Sequence, residues 1–250
     1  MLFSKELYFS ESVTARELLI LAYLRINCNN LGYITTCVRW LTIKIGHVPK
    51  TGSGNSLEQT RNCLIALQDK GIIGIDCESF GNNDMLDITI DISSEYLLPH
   101  NGYVKITSNE YNLIVSSDYT RKDVMLAVLF AIKSHITFEK DGSVADYCYC
   151  STKTLLSDVS YCVDISHNTF DTVTKYLVSC GALDSYSVGS YTARGAKGEE
   201  YKTFPTFYTV GSDKIDKEKC INIAKETLAD KGIIVNHFIE TDDFWKDLLD

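Results

Sequence analysis

The sequence predicts an α+β chain, mainly helical, in which one unit is used twice and an acidic C-terminal appendage follows. Two observations predict it. Leu64–Ile73 and Thr174–Leu183 end alike, as an amphipathic helix stopped by Gly71 or Gly181 and then an apolar pair that opens a strand. Glycine just past the last helical turn supplies the left-handed residue on which helices commonly close. Each ending is also preceded by a shorter helix and a polar turn, and followed by a polar hairpin-like segment. Composition agrees with a globular core: the 250 residues are 45% hydrophobic and 23% charged. That length allows one large domain or two of about 100 to 120 residues.

In the first unit, residues 1–97, Thr14 is the expected N-cap of a helix, with Glu17 at the capping-box position. Leu18, Leu21, Ala22, Leu24 and Ile26 keep its 3.6-residue rhythm up to Asn29-Asn30-Leu31-Gly32. Tyr33-Ile34 reads as a short strand, and Thr35-Thr36 as the cap of a second helix with Val38, Leu41 and Ile45 on one face. Gly46–Asn55 is a long turn. Ser56 is the expected cap of a third helix, whose buried stripe is Leu57, Thr60, Leu64 and Leu67. Two strands, 72–75 and 85–90, flank a tip at Phe80–Asp84, the second strand alternating cleanly. Helix, strand, helix, turn, helix and a stranded hairpin form the outline of a winged helix.

The second unit, residues 98–212, follows a junction near Ser93–His100. Gly102–Ile106 reads as a leading strand and Ser108-Asn109-Glu110 as the start of a short helix. Val124–Ile132 is apolar on all sides, as a central helix would be. After a turn at Glu139–Ser143, helix two starts at Ser151-Thr152 with Leu155, Leu156 and Val159 inward. Helix three follows the turn Asp164–Asn168, with Phe170, Val173, Thr174 and Leu177 inward. A basic wing, Ser190–Gly198, precedes the closing strand Thr206–Val210. In the appendage, residues 213–250, Asp216–Ala229 reads as a helix, Ile233–Ile239 as a strand and Phe244–Leu249 as a short amphipathic end. Packing on the protein is the default expected for these apolar residues.

If the third helices lie in a major groove, the residues opposite their buried stripes do the reading. In the first unit these are Ser56, Gln59, Arg61 and Asn62, with Ile65 beside them. Arginine can bridge guanine O6 and N7, and Gln or Asn can bridge adenine N6 and N7. Lys50 and the amide-rich Thr51–Asn55 turn could hold a phosphate at the helix N-terminus. The first wing, with Asp76, Glu78 and Asp84, would repel one. In the second unit the outward set is Asn168, Thr169, Thr172 and Lys175, with Asp171 against it. Its wing offers Arg194 and Lys197 among glycines, a pattern suited to a narrow minor groove. The bland alternative makes each set a solvated surface.

Residues 103–210 resemble the winged-helix domains of bacterial plasmid and phage replication initiators. The resemblance rests on Ser151 with Leu155, on Thr172 with Tyr176-Leu177 and Gly181, and on Tyr208 with Val210. These motifs are short and shared by many winged-helix regulators. The resemblance implies specific binding to duplex DNA; the long Gly46–Asn55 insertion and the acidic first wing depart from it.

Charge bears on that reading. The net charge of −9 divides as −3 over residues 1–97, −2 over 98–212 and −4 over 213–250. Phosphate binding responds to local lysines and arginines rather than to the sum. Acidity therefore disfavours strong non-specific binding and leaves a specific, dimeric reader open.

Other classes lack their signatures. No G-x-x-x-x-G-K-[ST] occurs, and the five histidines form neither H-x-H nor H-E-x-x-H. Cys148-Tyr149-Cys150 with Cys162 and His167 is the best metal candidate, but C-x-C alone is a poor zinc spacing. No cofactor, metal or catalytic residue is expected. Nine cysteines without C-x-x-C, with no signal peptide and no membrane-length apolar run, suit reduced thiols in a cytoplasm. The sequence thus points to a non-enzymatic DNA-binding initiator, with a transcriptional repressor of a mobile element or an interaction adaptor as rivals. A homodimer, and a host replication or regulatory protein engaged through the acidic tail, complete the expected partners.

Overall fold

The computed structural model describes residues 2–5, 8, 13–90, 102–136, 147–195, 198–210, 215–235 and 238–239, without the side chains of 2, 4 and 194–199. Among them the chain is α+β. Its helices are α1 (Ala15–Asn27), α2 (Val38–Lys44), α3 (Ser56–Asp69), α4 (Ser108–Ser116), α5 (Lys122–Ser134), α6 (Thr152–Val159), α7 (His167–Ser179) and α8 (Lys217–Ala229). Its strands are β1 (Leu2–Ser4), β2 (Tyr33–Thr36), β3 (Ile73–Ile75), β4 (Leu86–Ile90), β5 (Tyr103–Lys105), β6 (Leu183–Tyr186), β7 (Ser190–Gly195), β8 (Gly198–Thr203) and β9 (Phe207–Val210). They form small antiparallel sheets in the orders β1-β5, β2-β4-β3, β6-β9 and β7-β8. Two compact units interleave along the chain: residues 1–134 with 155–182, and 135–154 with 183–250. This grouping differs from the consecutive division 1–97, 98–212 and 213–250; the junction expected at Ser93–His100 lies outside the described residues.

The first unit is built around two helices buried on nearly every side. In α1, Leu18 to Leu24 are all buried; in α5, Val124 to Ile132 are. A helix apolar all round has no water-facing side, so it must lie inside. Helix α1 packs against α3, α4 and α5, and α5 also packs on α7. Thr14 and Glu17 form the expected capping box, and the Glu17 carboxylate also accepts from Lys70 Nζ at 2.7 Å. One pairing has no local sequence signal: β1 joins β5, with Phe3 opposite Val104. Nearby, Tyr8 stacks on Phe130 at 4.5 Å and donates to the Ala127 carbonyl. Glu110 caps α4 through Thr107 and also receives Lys133 Nζ at 2.5 Å, the carboxylate being buried and the lysine partly so.

In the sheet β2-β4-β3, Ile34 stands opposite Ile88, and Ile73 opposite Ile90. Strand β2 runs through Thr36, so the cap of α2 is Cys37, whose Sγ accepts from Trp40 N, rather than Thr35 or Thr36. Likewise Asn55 holds the N-cap position of α3, and Ser56 is its first residue. The buried residues of α3 are the expected stripe Leu57, Thr60, Leu64 and Leu67. Gly71 (φ 68°) and Gly181 (φ 79°) end α3 and α7 in the left-handed region, as both repeats required.

In the second unit, β9 pairs with β6, Leu183 opposite Val210, and on its other side with Cys148, which exchanges two hydrogen bonds with Tyr208. The hairpin β7-β8 lies between β6 and β9 in the chain. Val188, Tyr191, Phe204 and Phe207 share one core with Cys220, Ala224 and Leu228 of α8. Helix α8, expected in the appendage, is thus a core element here. Of the strand expected at 233–239, Ile233–Val235 are irregular, Ile239 bridges to Ser190, and 236–237 lie outside the described residues. So do Glu139–Ser143 and Phe244–Leu249.

Candidate nucleic-acid interface

The exposed face of α3 carries Gln59, Asn62, Ile65 and Asp69. Arg61 is half-buried and turns away from that face: its Nη2 donates to Asn82 Oδ1 in the β3–β4 loop, and its buried Nε has no acceptor. The same loop is tied to α2, where Arg39 Nε donates to Asn83 Oδ1 at 2.8 Å and Arg39 N to the Asn82 carbonyl at 2.9 Å. Two arginines therefore hold the loop through three hydrogen bonds. Gln59 is also engaged, accepting from Arg16 and donating to the Gly54 carbonyl at 2.6 Å. The exposed Asn62 side chain makes no hydrogen bond among the described residues and remains the freest amide of the expected set.

The turn before α3 uses its own donors. Lys50 N donates to Ser56 Oγ at 2.9 Å, and that hydroxyl donates to the Val48 carbonyl at 2.6 Å. Gly54 N donates to the Glu58 carboxylate, which occupies the position expected for a phosphate. The Lys50 side chain is exposed. In the acidic loop Asp84 accepts from Gly81 N, and in β4 Asp87 accepts from Thr35 Oγ1.

On α7 the exposed residues include Asn168, Thr172, Lys175 and Tyr176. Ser166 caps the helix through Thr169 N, so half-buried Thr169 belongs to the cap. Thr172 Oγ1 donates to the Asn168 carbonyl, whereas the side chains of Asn168 and Lys175 make no hydrogen bond among the described residues. His167 pairs with Asp171 at 3.0 Å. Asp171 thereby has a partner on its own helix. In the hairpin, Arg194 stands opposite Glu199 in register, Lys202 meets Glu200 at 3.5 Å, and Lys197 lies outside the described residues.

Sequence reasoning missed one group of cations. Arg16, in the first turn of α1, reaches α3 through its bond to Gln59, while its buried Nε and Nη2 have no acceptor. His47, after α2, has a buried Nε2 without a partner, and desolvation together with Arg16 pulls its pKa below the usual value. Lys122, opening α5, is buried beside Gly46 and donates to the Ser117 carbonyl. Helix periodicity marks such residues only as interruptions of apolar faces, since the convergence is tertiary. Among the described residues no group of three or more His, Cys, Asp or Glu could hold a metal ion, and no helix is long and apolar enough to cross a membrane. No family model, curated protein or solved structure matches the chain.

Proposed function

We propose that this chain is a non-enzymatic winged-helix protein that binds specific duplex DNA, as an initiator of plasmid- or phage-type replication. One observation carries the reading. In each half, a residue or strand ahead of the helix pair joins the far side of the last strand: β2-β4-β3 in one case, Cys148-β9-β6 in the other. The same strand order, recurring after each of two helix pairs along the chain, supports a duplicated winged helix more strongly than short motifs do. The initiator role rests on the resemblance of residues 103–210. Asn62 on α3 and Asn168 and Lys175 on α7 are the candidate base and backbone contacts, with Ser56, Gln59 and Arg61 shaping α3. Gel-shift titration of the full chain against DNA flanking its own gene tests this. Protection of short direct repeats beside an AT-rich tract is expected, whereas a single promoter palindrome would make it a repressor.

A protein-interaction adaptor is the second reading, favoured by three exposed apolar residues near α2: Trp40, Ile43 and Val48. Absence of any sequence-dependent shift at low salt would select it.

A further inference from the structure

Arg16, His47 and Lys122 come from three separated segments of the first unit and meet near one place. Arg16 lies on α1, His47 in the loop that leaves α2, and Lys122 at the start of α5. Gly46 fixes the loop there. At φ 80°, a Cβ on it would stand 2.8 Å from the Val115 carbonyl oxygen and 3.2 Å from Lys122 Cε. His47 is the next residue, and its imidazole feels the charges of Arg16, Asp123 and Lys122.

The guanidinium is the informative group. Its Nη1 is held by Gln59. Nε and Nη2, which form the side-on fork of arginine, are both buried and find no acceptor among the described residues. That fork matches two oxygens of one anion. Burying a cation without an anionic partner costs several kcal/mol. Among the described residues no ion pair within 4.0 Å involves Arg16 or Lys122; Asp123, which faces Arg16 and His47, lies 3.8 Å from Arg121, and Asp118 is the acid that faces Lys122. Cys63 is held neutral, burial pushing its thiol up to about 11.

We propose that Arg16, with His47 and Lys122, forms a binding site for a phosphate group, the guanidinium edge taking two of its oxygens and His47 Nε2–H a third. A carboxylate would fill the fork but use less of the surrounding charge. The phosphate is either a free ion or a link of a nucleic-acid backbone, and the site stands whichever source supplies it.

Inorganic phosphate titrated calorimetrically into the full chain, at constant ionic strength in chloride, is the test. Saturable binding is expected, weakened at least tenfold in Arg16→Met. Arg16→Lys keeps the charge, loses the fork and should also weaken binding; melting curves establish that each variant folds. The His47 ring resonances should move with phosphate in the parent and stay still in Arg16→Met. No saturable binding in the parent, or binding as tight as the parent's by both folded Arg16 variants, would overturn the site. Competition between inorganic phosphate and duplex DNA identifies a backbone phosphate, and phosphate binding indifferent to DNA identifies a free one. If phosphate binds and no duplex does, the site holds while the DNA reading fails.

Discussion

Arg61 marks the limit of what a face-by-face reading can tell. Its place opposite the buried stripe of α3 suggested a base-reading residue, yet its guanidinium is committed to Asn82. A double-mutant cycle of Arg61→Ala and Asn82→Ala should show a stability coupling of about 0.5 to 1.5 kcal/mol. Additive losses would mean that the bond is absent in solution. For DNA, Asn62→Ala should cost about 1 to 3 kcal/mol at the preferred sequence, and Lys175→Ala should lower the salt slope by about one for all sequences. Equal affinity of both variants with the parent would remove α3 and α7 from the interface. His47 yields a pH prediction. Its pKa lies below 6.5 in the folded chain, first through desolvation and then through Arg16. The unfolded chain therefore binds more protons between the folded pKa and about 6.5, so stability rises with pH through that window. Acidifying a phosphate-free solution from pH 7 to 5 should lower the melting temperature, and less so in His47→Gln. Periodicity disclosed the buried stripe of α3; the partners of Gln59 and Arg61, at positions 16 and 82, are set by tertiary folding.

Helices were the most legible elements because burial repeats along them with a fixed period. The buried residues of α3 and α7 are those their spacing demanded. Boundaries were less legible, since Thr36 serves β2 as well as it would a cap, and the cap fell to Cys37. Strand β1 was not legible at all: three residues carry no period, and their partner lies a hundred positions away. Two glycines test how the elements are joined. Gly71 and Gly46 both have left-handed φ, but a Cβ at Gly71 meets nothing within 4 Å, whereas one at Gly46 meets Val115 O at 2.8 Å. Gly71→Ala should cost about 1 to 2 kcal/mol from backbone conformation alone. Gly46→Ala adds about 1 to 3 kcal/mol of overpacking. Denaturant melts that rank the two alike would show that the close approach is easily relieved.

At the scale of the molecule, the α+β class was readable, whereas the interleaving of two compact units along the chain carries no local signal. Local patterns show where an element begins; they do not show which distant core receives it. Helix α1 is buried on nearly all sides, and α5 supplies much of its cover. A fragment of residues 1–97 should therefore lack a cooperative melt, whereas an independently stable fragment would restore the consecutive division. Removing residues 215–250 strips Cys220, Ala224 and Leu228 from the core with Phe204 and Phe207. That truncation should bind a hydrophobic dye and lose the unfolding transition of the second unit while the first persists. A dye-silent, fully cooperative truncation would make α8 a dispensable attachment.

The interleaving also sets an order of events during synthesis. Residues 135–154 leave the ribosome before 155–182 complete the first unit, but their own core needs α8 at Lys217–Ala229. At about 5 to 20 residues per second, they wait several seconds for it. The nascent chain thus carries an unfinished aromatic segment beside a finished unit, a natural point for chaperone capture. Translation stalled after the first unit has emerged should leave α5 protected from protease and the peptide bonds around Tyr149 open to it.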